Sequence, residues 1–406
     1  FRNTLYSIDR RGGTLGIELE IGAHRLQLGG WYEQNTSSAS RYQSAVDGPR
    51  DFSGLAKGQP DVGVFAQETE WKTRQFYLQD TVRLLDDRLR LEAGFKAMNA
   101  QSQARALPGI AKTPISPTSN NQFAAGNLRA RDSFLPSAGV YFQLDAQQEV
   151  FASYAENIAM FQGGFKLGPQ AVSQATWNSQ GTLKPEQSRT FELGYRWIGE
   201  RTQLSLAGYE VRFDNRLLQY NPCDSRQPVG PECGNRFYNV GSVNSRGAEL
   251  TVLWTPTAQL SWYNSASFND STYGSDYMQN GVVVPTKGKT QTDTPKTLLS
   301  SELKWRSGPW SAELRGKYTG KRYYTYTNDQ GFGGFTVFDA GAAYDFGQLG
   351  FVQKLKLSLN VTNLGDKRYA SNLDSSVFAP TDAAGKLYVF HASAPRQAFI
   401  SLDARF

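Results

Sequence analysis

The amino-acid sequence predicts an all-β fold, a transmembrane antiparallel β-barrel, from three observations. Apolar and polar side chains alternate with a period of two along many segments, as on the two faces of a β-strand. Short and long connections between these segments alternate along the chain. The 24 Phe, 20 Tyr, 8 Trp and 39 Gly among 406 residues favour strands and turns. No apolar run approaches the ~18 residues of a spanning helix, which excludes a helical membrane protein.

Rare residue types and the charge balance narrow the function classes. Only 2 Cys and 2 His are present, which disfavours a metalloenzyme or a thiol enzyme. The 43 basic and 37 acidic residues give a net charge of +6 without a basic block, so we expect no nucleic-acid partner. The chain begins at Phe1 without a signal-peptide pattern, and we expect further sequence to precede it.

The strand predictions follow the alternation in chain order. In residues 310–318, for example, the even positions are apolar, Gly or Tyr and the odd positions are polar or charged, and residues 355–362 alternate Leu or Val with Lys, Ser, Asn or Thr. The fifteen predicted strands are 14–21, 25–35, 65–84, 89–101, 132–144, 149–160, 187–198, 202–219, 237–254, 259–273, 294–305, 310–324, 335–346, 353–369 and 394–406.

Two irregularities stand out in these strands. The apolar parity switches after Leu206 to Tyr209 and Val211, which predicts a β-bulge near Gly208. Asp80 shares the parity of apolar neighbours, so we expect it near a membrane interface.

The connections support a membrane barrel over a soluble β-sandwich. Short turns are predicted near 22–24, 85–88, 145–148, 199–201, 255–258, 306–309 and 347–350, and long loops near 36–64, 102–131, 161–186, 220–236, 274–293, 325–334 and 370–393. Short turns on one side and long loops on the other are typical of transmembrane barrels. A soluble sandwich also alternates its faces, but it has no reason to sort its loops by length.

The last strand predicts the orientation. Its apolar residues share one face and end at Phe406, the final residue. A terminal aromatic after an alternating strand resembles the insertion signal of outer-membrane barrels, which the barrel assembly machinery recognises. A C-terminus in the periplasm places all seven short turns there and the long loops outside the cell. Fifteen strands cannot close an even-numbered barrel, so we expect the chain to be the C-terminal part of a larger one.

Three motifs carry a resemblance to a known family. Residues 183–188 read LKPEQS and are followed by FELGY at 191–195; residues 239–241 read NVG, followed by SRGAEL at 245–250; and residues 360–369 read NVTNLGDKRY. Together with weaker matches at residues 76–80, at Pro395–Arg396 and at the terminal Phe406, they occur in family order over about 330 residues and resemble TonB-dependent outer-membrane receptors of Gram-negative bacteria. The residues themselves suit structural roles, because Pro, Gly, Asn and Asp rigidify or turn the backbone.

The resemblance implies a 22-stranded barrel with a plugged lumen. Residues 1–406 would then be strands 8 to 22 without a separate second domain. The plug and the TonB box, through which TonB would bind, would precede Phe1.

The sequence contains no obvious catalytic constellation. His24 and His391 are isolated, which predicts neither a metal site nor a cofactor. Asp86 and Asp87 lie in a short turn, where Asp is common. We therefore expect no enzyme. Cys223 and Cys233 lie in one predicted extracellular loop, and the oxidising periplasmic route favours a disulfide between them over metal binding.

Ligand contacts are predicted in the outward loops, which meet the medium. Aromatic and Arg side chains suit a bulky anionic metal chelate. The candidates are Trp177, Tyr220, Arg236, Tyr238, Tyr277, Arg322, Tyr323, Tyr324 and Tyr326. Membrane-interface girdles are the alternative explanation of the Tyr and Trp residues.

The resemblance implies a TonB-dependent receptor for active uptake of a scarce solute, most frequently a ferric siderophore in this family. The protein would be a multi-pass outer-membrane receptor in contact with outer-membrane lipid. Cobalamin, heme, another metal chelate or a glycan are alternative ligands. A passive channel or porin is the alternative class, and the presence of an encoded plug before Phe1 discriminates between the two.

Overall fold

A computed structural model describes residues 2–44, 62–107, 109–110, 113–114, 124–161, 169–179, 181–220, 236–279, 282–373, 380–386 and 390–406. Its main feature is one antiparallel sheet of fifteen strands in chain order. The strands are β1 Arg2–Ile21, β2 His24–Gln43, β3 Val62–Leu84, β4 Leu89–Ala106, β5 Gly126–Gln143, β6 Gln148–Ile158, β7 Gln187–Ile198, β8 Thr202–Asp214, β9 Val243–Thr257, β10 Leu260–Tyr273, β11 Thr297–Ser307, β12 Trp310–Thr319, β13 Phe335–Leu349, β14 Val352–Thr362 and β15 Gln397–Arg405.

The strand predictions are confirmed in number and order. Strand β7 has the predicted bounds, whereas β1 begins at Arg2 and not at residue 14. Each strand pairs with the next one along the chain, and the seven short turns lie where they are predicted. Strands β1 and β15 are the two edges of the described sheet, which does not close. A barrel of 22 strands and a preceding plug stay predictions.

The loops carry the small remaining elements. One helix, Gln174–Ser179, lies in the loop between β6 and β7. Five two-stranded hairpins lie in other long loops: Gly109–Ile110 with Thr113–Pro114, Leu217–Tyr220 with Arg236–Asn239, Tyr277–Gln279 with Val282–Val284, Arg322–Tyr323 with Gly331–Phe332, and Ala370–Leu373 with Phe390–Ala392. Within the described residues no helix is long and apolar enough to cross a membrane.

The two faces of the sheet differ chemically. One face, here called the apolar face, exposes large hydrophobic side chains such as Leu193, Leu314 and Leu402. The other, the charged face, carries ion pairs between directly paired residues. Arg315 Nε lies 2.6 Å from Glu302 Oε1, and Arg196 and Glu149 are joined in the same way. A face that exposes apolar groups and a face that solvates charges are the two surfaces of a membrane barrel.

The loops pack over the charged face. Phe213, Val243 and Tyr273 are neighbours in register on the charged face near the long-loop end, and all three contact the buried loop core. Among the described residues, no loop covers the apolar face in this way.

The predicted bulge near Gly208 is wrong. Strand β8 keeps one register with β7 and with β9 along its whole paired length. The apolar residues change face because Leu206 points out on the apolar face, whereas Phe213 points toward the loop core on the other face. The switch in parity therefore marks the position along the strand, measured from the short-turn end, at which hydrophobic residues stop occupying the apolar face and begin to occupy the other face beneath the loops. Asp80 lies near the short-turn end, where its Oδ2 is 2.7 Å from His24 Nδ1.

Two buried clusters lie at the long-loop end. The first loop cluster contains Ala124, Leu128, Phe161, Val172, Leu183 and Phe237. The second loop cluster contains Val240, Val243, Tyr273, Tyr277, Val284, Tyr324, Tyr326, Ala370 and Leu373. The two largest buried cores of the described residues therefore lie among the loops. Elsewhere the described sheet is a single layer, and neither of its faces packs against a second layer.

The family motifs connect loops to strands, as predicted. The Asn239 side chain accepts a hydrogen bond from Lys184 N at 2.8 Å and donates to Lys184 O at 2.9 Å, which joins the LKPE and NVG motifs. Gly241 has a φ of +80°, which favours glycine. Gly247 leaves room for the ring of Tyr209 directly opposite, since a Cβ there would collide with that ring.

The chain end is exposed. Phe406 stacks on Phe351 with 5.9 Å between ring centroids, and both rings are largely accessible. This geometry leaves Phe406 free to contact a partner, and its role as an insertion signal stays a prediction.

Candidate functional site

The second loop cluster is organised around the loop of residues 320–334. This loop touches both neighbouring long loops, 274–296 and 363–396. The side chains that make these links include Arg322, Asn328 and Asp329. The three loops therefore form one connected body.

Arg322 is a buried cation of this body, with 7% of its surface exposed. Its Nη1 donates to Asp293 Oδ1 at 3.0 Å, and its Nη2 donates to the Ala370 carbonyl. Its guanidinium also lies over the Phe335 ring, 5.9 Å from the centroid. Burial raises the pKa of Asp293 even though the Arg322 charge lowers it. The pair is thus held in a poorly solvated position.

A cavity of about 400 Å³ opens beside Arg322 on the charged face. Lys317 and Asp339 from the strands and Phe335 and Tyr369 from the loop ends line it. The Phe335 and Tyr369 rings are stacked, with centroids 4.1 Å apart. The cavity, here called the Arg322 cavity, therefore offers a flat aromatic wall beside charges of both signs.

Two polar residues fasten the loops around this cavity. Asn328 has a φ of 62°. Its side-chain Oδ1 accepts a hydrogen bond from Thr290 N at 2.6 Å, and its Nδ2 donates one to Thr290 O at 2.8 Å, so the side-chain amide pairs with the backbone of Thr290 in the way that a residue of a neighbouring strand does. Asp329 Oδ2 accepts from Thr381 Oγ1 and from Asp382 N. Burial alone would raise the pKa of Asp329, but these and other hydrogen bonds hold it at about 2.

Three of the seven predicted aromatic contacts are buried in the second loop cluster. Tyr326 is 2% exposed, and its ring meets those of Tyr273 and Tyr277 edge-on at 6.2 and 5.9 Å. Tyr324 is also buried and donates to Asp382 Oδ2 at 3.2 Å. In this arrangement Tyr277, Tyr324 and Tyr326 build the loop core, and direct ligand contact by them stays a prediction.

The other predicted contacts are dispersed. Trp177 is half-buried against the first loop cluster, and Tyr238 packs at the edge of the second. Tyr323 is half-buried, with Lys321 Nζ 4.5 Å from its ring centroid. Tyr220 and Arg236 are paired residues of one loop hairpin. Cys223 and Cys233 lie outside the described residues.

Sequence reasoning selected Arg322 but not the other residues of the Arg322 cavity. Lys317, Phe335 and Asp339 appeared as ordinary strand residues, and Tyr369 as part of a family motif. The available signal was parity: Lys317 lies on the charged face at the top of β12, one step below the loop that carries Arg322.

The family model described as TonB dependent receptor-like, beta-barrel matches residues 1–364. The chain belongs to this family. Members are transport receptors and not enzymes. The described residues contain no group of three or more His, Cys, Asp or Glu placed to hold a metal ion.

Two curated relatives are siderophore receptors by name. The chain is 22% identical over 379 residues to the probable TonB-dependent siderophore receptor PiuA of Acinetobacter baumannii, covering 88% of this chain and 44% of that protein. It is 23% identical over 363 residues to the ferrioxamine B receptor of Salmonella typhimurium, covering 87% and 45%. The chain therefore spans less than half the length of these relatives.

A solved structure supports the fold. The crystal structure of the siderophore receptor PiuA from Acinetobacter baumannii is similar with a TM-score of 0.69 at 17% identity, over 98% of this chain and 56% of that one. At this identity the likeness establishes the fold alone, that of a TonB-dependent receptor barrel.

Proposed function

We propose that this chain is part of an outer-membrane TonB-dependent transporter that imports a ferric siderophore. The observation that carries the proposal is membership of the receptor family, with relatives named as siderophore receptors. The long loops would face the medium and the short turns the periplasm.

The Arg322 cavity supports a chelate ligand. Iron chelates are bulky and carry planar or oxygen-rich ligand groups. The stacked Phe335 and Tyr369 rings provide a flat wall for such groups, and Lys317 provides a cation for an anionic oxygen. Arg322 is already paired with Asp293, so its main role in this scheme is to position the loops.

The proposed transport cycle follows from this division of roles. The loops capture the chelate from the medium and close over it. TonB, energised across the inner membrane, then rearranges the plug, and the chelate moves through the barrel. The plug and the TonB-binding segment would be contributed by sequence before Phe1.

Growth under iron limitation tests the proposal. A strain with the full gene is compared with its deletion on defined siderophores, including ferrioxamine B, a catecholate and a carboxylate siderophore. We expect the deletion to abolish growth on at least one of them and the restored gene to rescue it. Equal uptake of every radiolabelled ferric siderophore by both strains would contradict the proposal.

A variant separates the site from the scaffold. Lys317→Gln removes a cation that forms no ion pair with a carboxylate among the described residues, so we expect weaker ferric-siderophore binding with unchanged amounts of protein in the membrane. Lys96→Gln is the matched control, because Lys96 also lies on the charged face but bonds to Asn157 Oδ1 away from the cavity. Equal loss of binding in both variants would argue against the Arg322 cavity as the site.

A further inference from the structure

A polar side chain lies within the apolar face. Asn264 of β10 has the same parity as Trp262 and Ala266, and its partners in register are Val252 and Ser301. Polar groups inside a hydrocarbon layer are costly unless they bond. Each hydrogen-bonding atom of Asn264 therefore requires an account.

The hydrogen bonds of Trp262 and Ser301 fix the orientation of this amide. The Trp262 indole N–H can only donate, and it donates to Ser301 Oγ at 2.9 Å. The Ser301 hydroxyl in turn donates to Asn264 Oδ1 at 2.8 Å. The chain of bonds thus places Oδ1 toward Ser301 and turns the Nδ2 group away from it. Among the described residues, Nδ2 has no acceptor.

An apolar groove begins at this amide. Its volume is about 380 Å³, and Asn264 and Ser301 lie on its lining together with Leu250, Ala266, Leu299 and Phe338. The groove therefore combines a mostly apolar lining, which also includes Tyr318 and Thr336, with the unsatisfied N–H donor group of Asn264 at its polar border.

The depth of the amide identifies the acceptor. Trp262 and Trp254 lie together at the short-turn side of Asn264, with ring centroids 6.2 Å apart, and Trp305 is exposed nearby on the same face. Exposed Trp residues collect at the boundary between hydrocarbon and head groups. The ester carbonyls of glycerophospholipids lie at this boundary, next to their acyl chains.

We propose that this groove binds one glycerophospholipid, with an acyl chain along Leu250, Leu299 and Phe338 and an ester carbonyl accepting from Asn264 Nδ2. The proposal rests on the membrane location proposed above. A diacyl lipid matches both parts of the site. Its ester carbonyl is a hydrogen-bond acceptor for Asn264 Nδ2, and the acyl chain attached to that ester fills the apolar groove.

Native mass spectrometry of the full-length receptor tests the site. The protein is purified in detergent, stripped of lipid and titrated with phosphatidylethanolamine. Asn264→Leu removes the donor, and Ala266→Leu fills the groove. Ala152→Leu adds the same bulk on the apolar face at β6, between Leu193 and Val140. We expect about tenfold weaker retention of the first lipid in the Asn264 and Ala266 variants and wild-type retention in Ala152→Leu.

Three results would overturn the proposal. They are equal lipid retention in all four proteins, equal loss in Ala152→Leu, and a dimer mass that disappears with Asn264→Leu, which would identify a second copy as the occupant. Ferric-siderophore binding is measured on the same samples and is expected to be unchanged. If wild-type protein binds no siderophore, the proposed function fails while the lipid measurement keeps its meaning.

Discussion

The two loop clusters lie side by side on one face of the sheet but are fastened by different chemistry. In the first, two buried amides join loops to strands: Gln67 donates to Ala124 O and Gln170 O, and Gln170 bonds to Ser102 and Gly126 O. In the second, the links include the buried Arg322–Asp293 pair and the ionised Asp329.

This difference in chemistry suggests different roles for the two clusters: the first anchors loops to strands, and the second surrounds the proposed ligand site. Neutral amides hold backbone carbonyls with little dependence on pH or salt, which suits a fixed wall. Charged links lose strength when they are protonated or exposed to a competing charge. The Arg322 cavity lies beside the second cluster, so we expect a bound charged ligand to rearrange the loops around it.

The largest expected effect is that of Arg322→Ala. Loss of the guanidinium leaves Asp293 and the Ala370 carbonyl without their partner, at a cost of about 2 kcal/mol. Amides of residues 282–296 and 370–373 should then exchange hydrogen about 30-fold faster. Arg322→Lys is the control and should recover part of the protection. Unchanged exchange in both segments would remove Arg322 from its linking role.

Gln170→Ala should have a smaller effect, confined to the first cluster. The variant loses bonds to Ser102 and Gly126, worth about 1.4 kcal/mol together, so amides of residues 169–179 should exchange about tenfold faster. The second cluster and siderophore affinity should not change. Faster exchange that also extends to residues 320–334 would mean that the two clusters open together, and it would contradict the claim that they are fastened independently.

Asp329→Asn should have a small effect at neutral pH, because Asp329 is exposed and the amide oxygen of Asn still accepts hydrogen bonds, but the clearest effect on pH dependence. The pKa of Asp329 is lowered from 3.8 to about 2, so its contribution to stability is present above pH 3.8 and is lost as pH falls through about 2. The pKa of Asp293 is raised, so its effect on stability has the opposite sign: the protonated carboxyl favours the folded protein, and that contribution is lost as pH rises through the raised pKa of Asp293.

The measurement for Asp329 is hydrogen exchange of residues 320–334 between pH 5 and pH 2, corrected for intrinsic rates. Wild-type protein should show a falling opening free energy in this cluster, and Asp329→Asn a flatter profile. Residues 169–179 serve as the internal control and should stay flat in both proteins. Identical profiles for wild type and variant would exclude Asp329 as the source of the pH dependence.

The strands could be predicted from sequence because each one repeats the same local signal. Period-two alternation needs only neighbouring residues, and in β7 it located the bounds to the residue. The alternation gave a wrong prediction near Gly208, where it indicated a bulge. The environment of each face changes along the strand, from membrane-facing to loop-covered, and this change produces the same switch of parity as a bulge.

The loop contacts could not be predicted because their partners are distant in sequence. Gln67 and Gln170 are 103 positions apart, and Arg322 and Asp293 come from different loops. Nothing in the local pattern distinguishes a Tyr that lines a ligand site from one such as Tyr326 that fills the core beneath it. Arg322 was selected for its chemistry, and its burial is visible only in three dimensions.

The most direct test is hydrogen exchange of the full-length receptor with and without the ferric siderophore that supports growth. We predict that bound ligand slows hydrogen exchange in residues 282–296, 320–334 and 363–373 around the Arg322 cavity and leaves exchange in residues 169–179 unchanged. Protection confined to residues 169–179, or none in either cluster at saturating ligand, would contradict it.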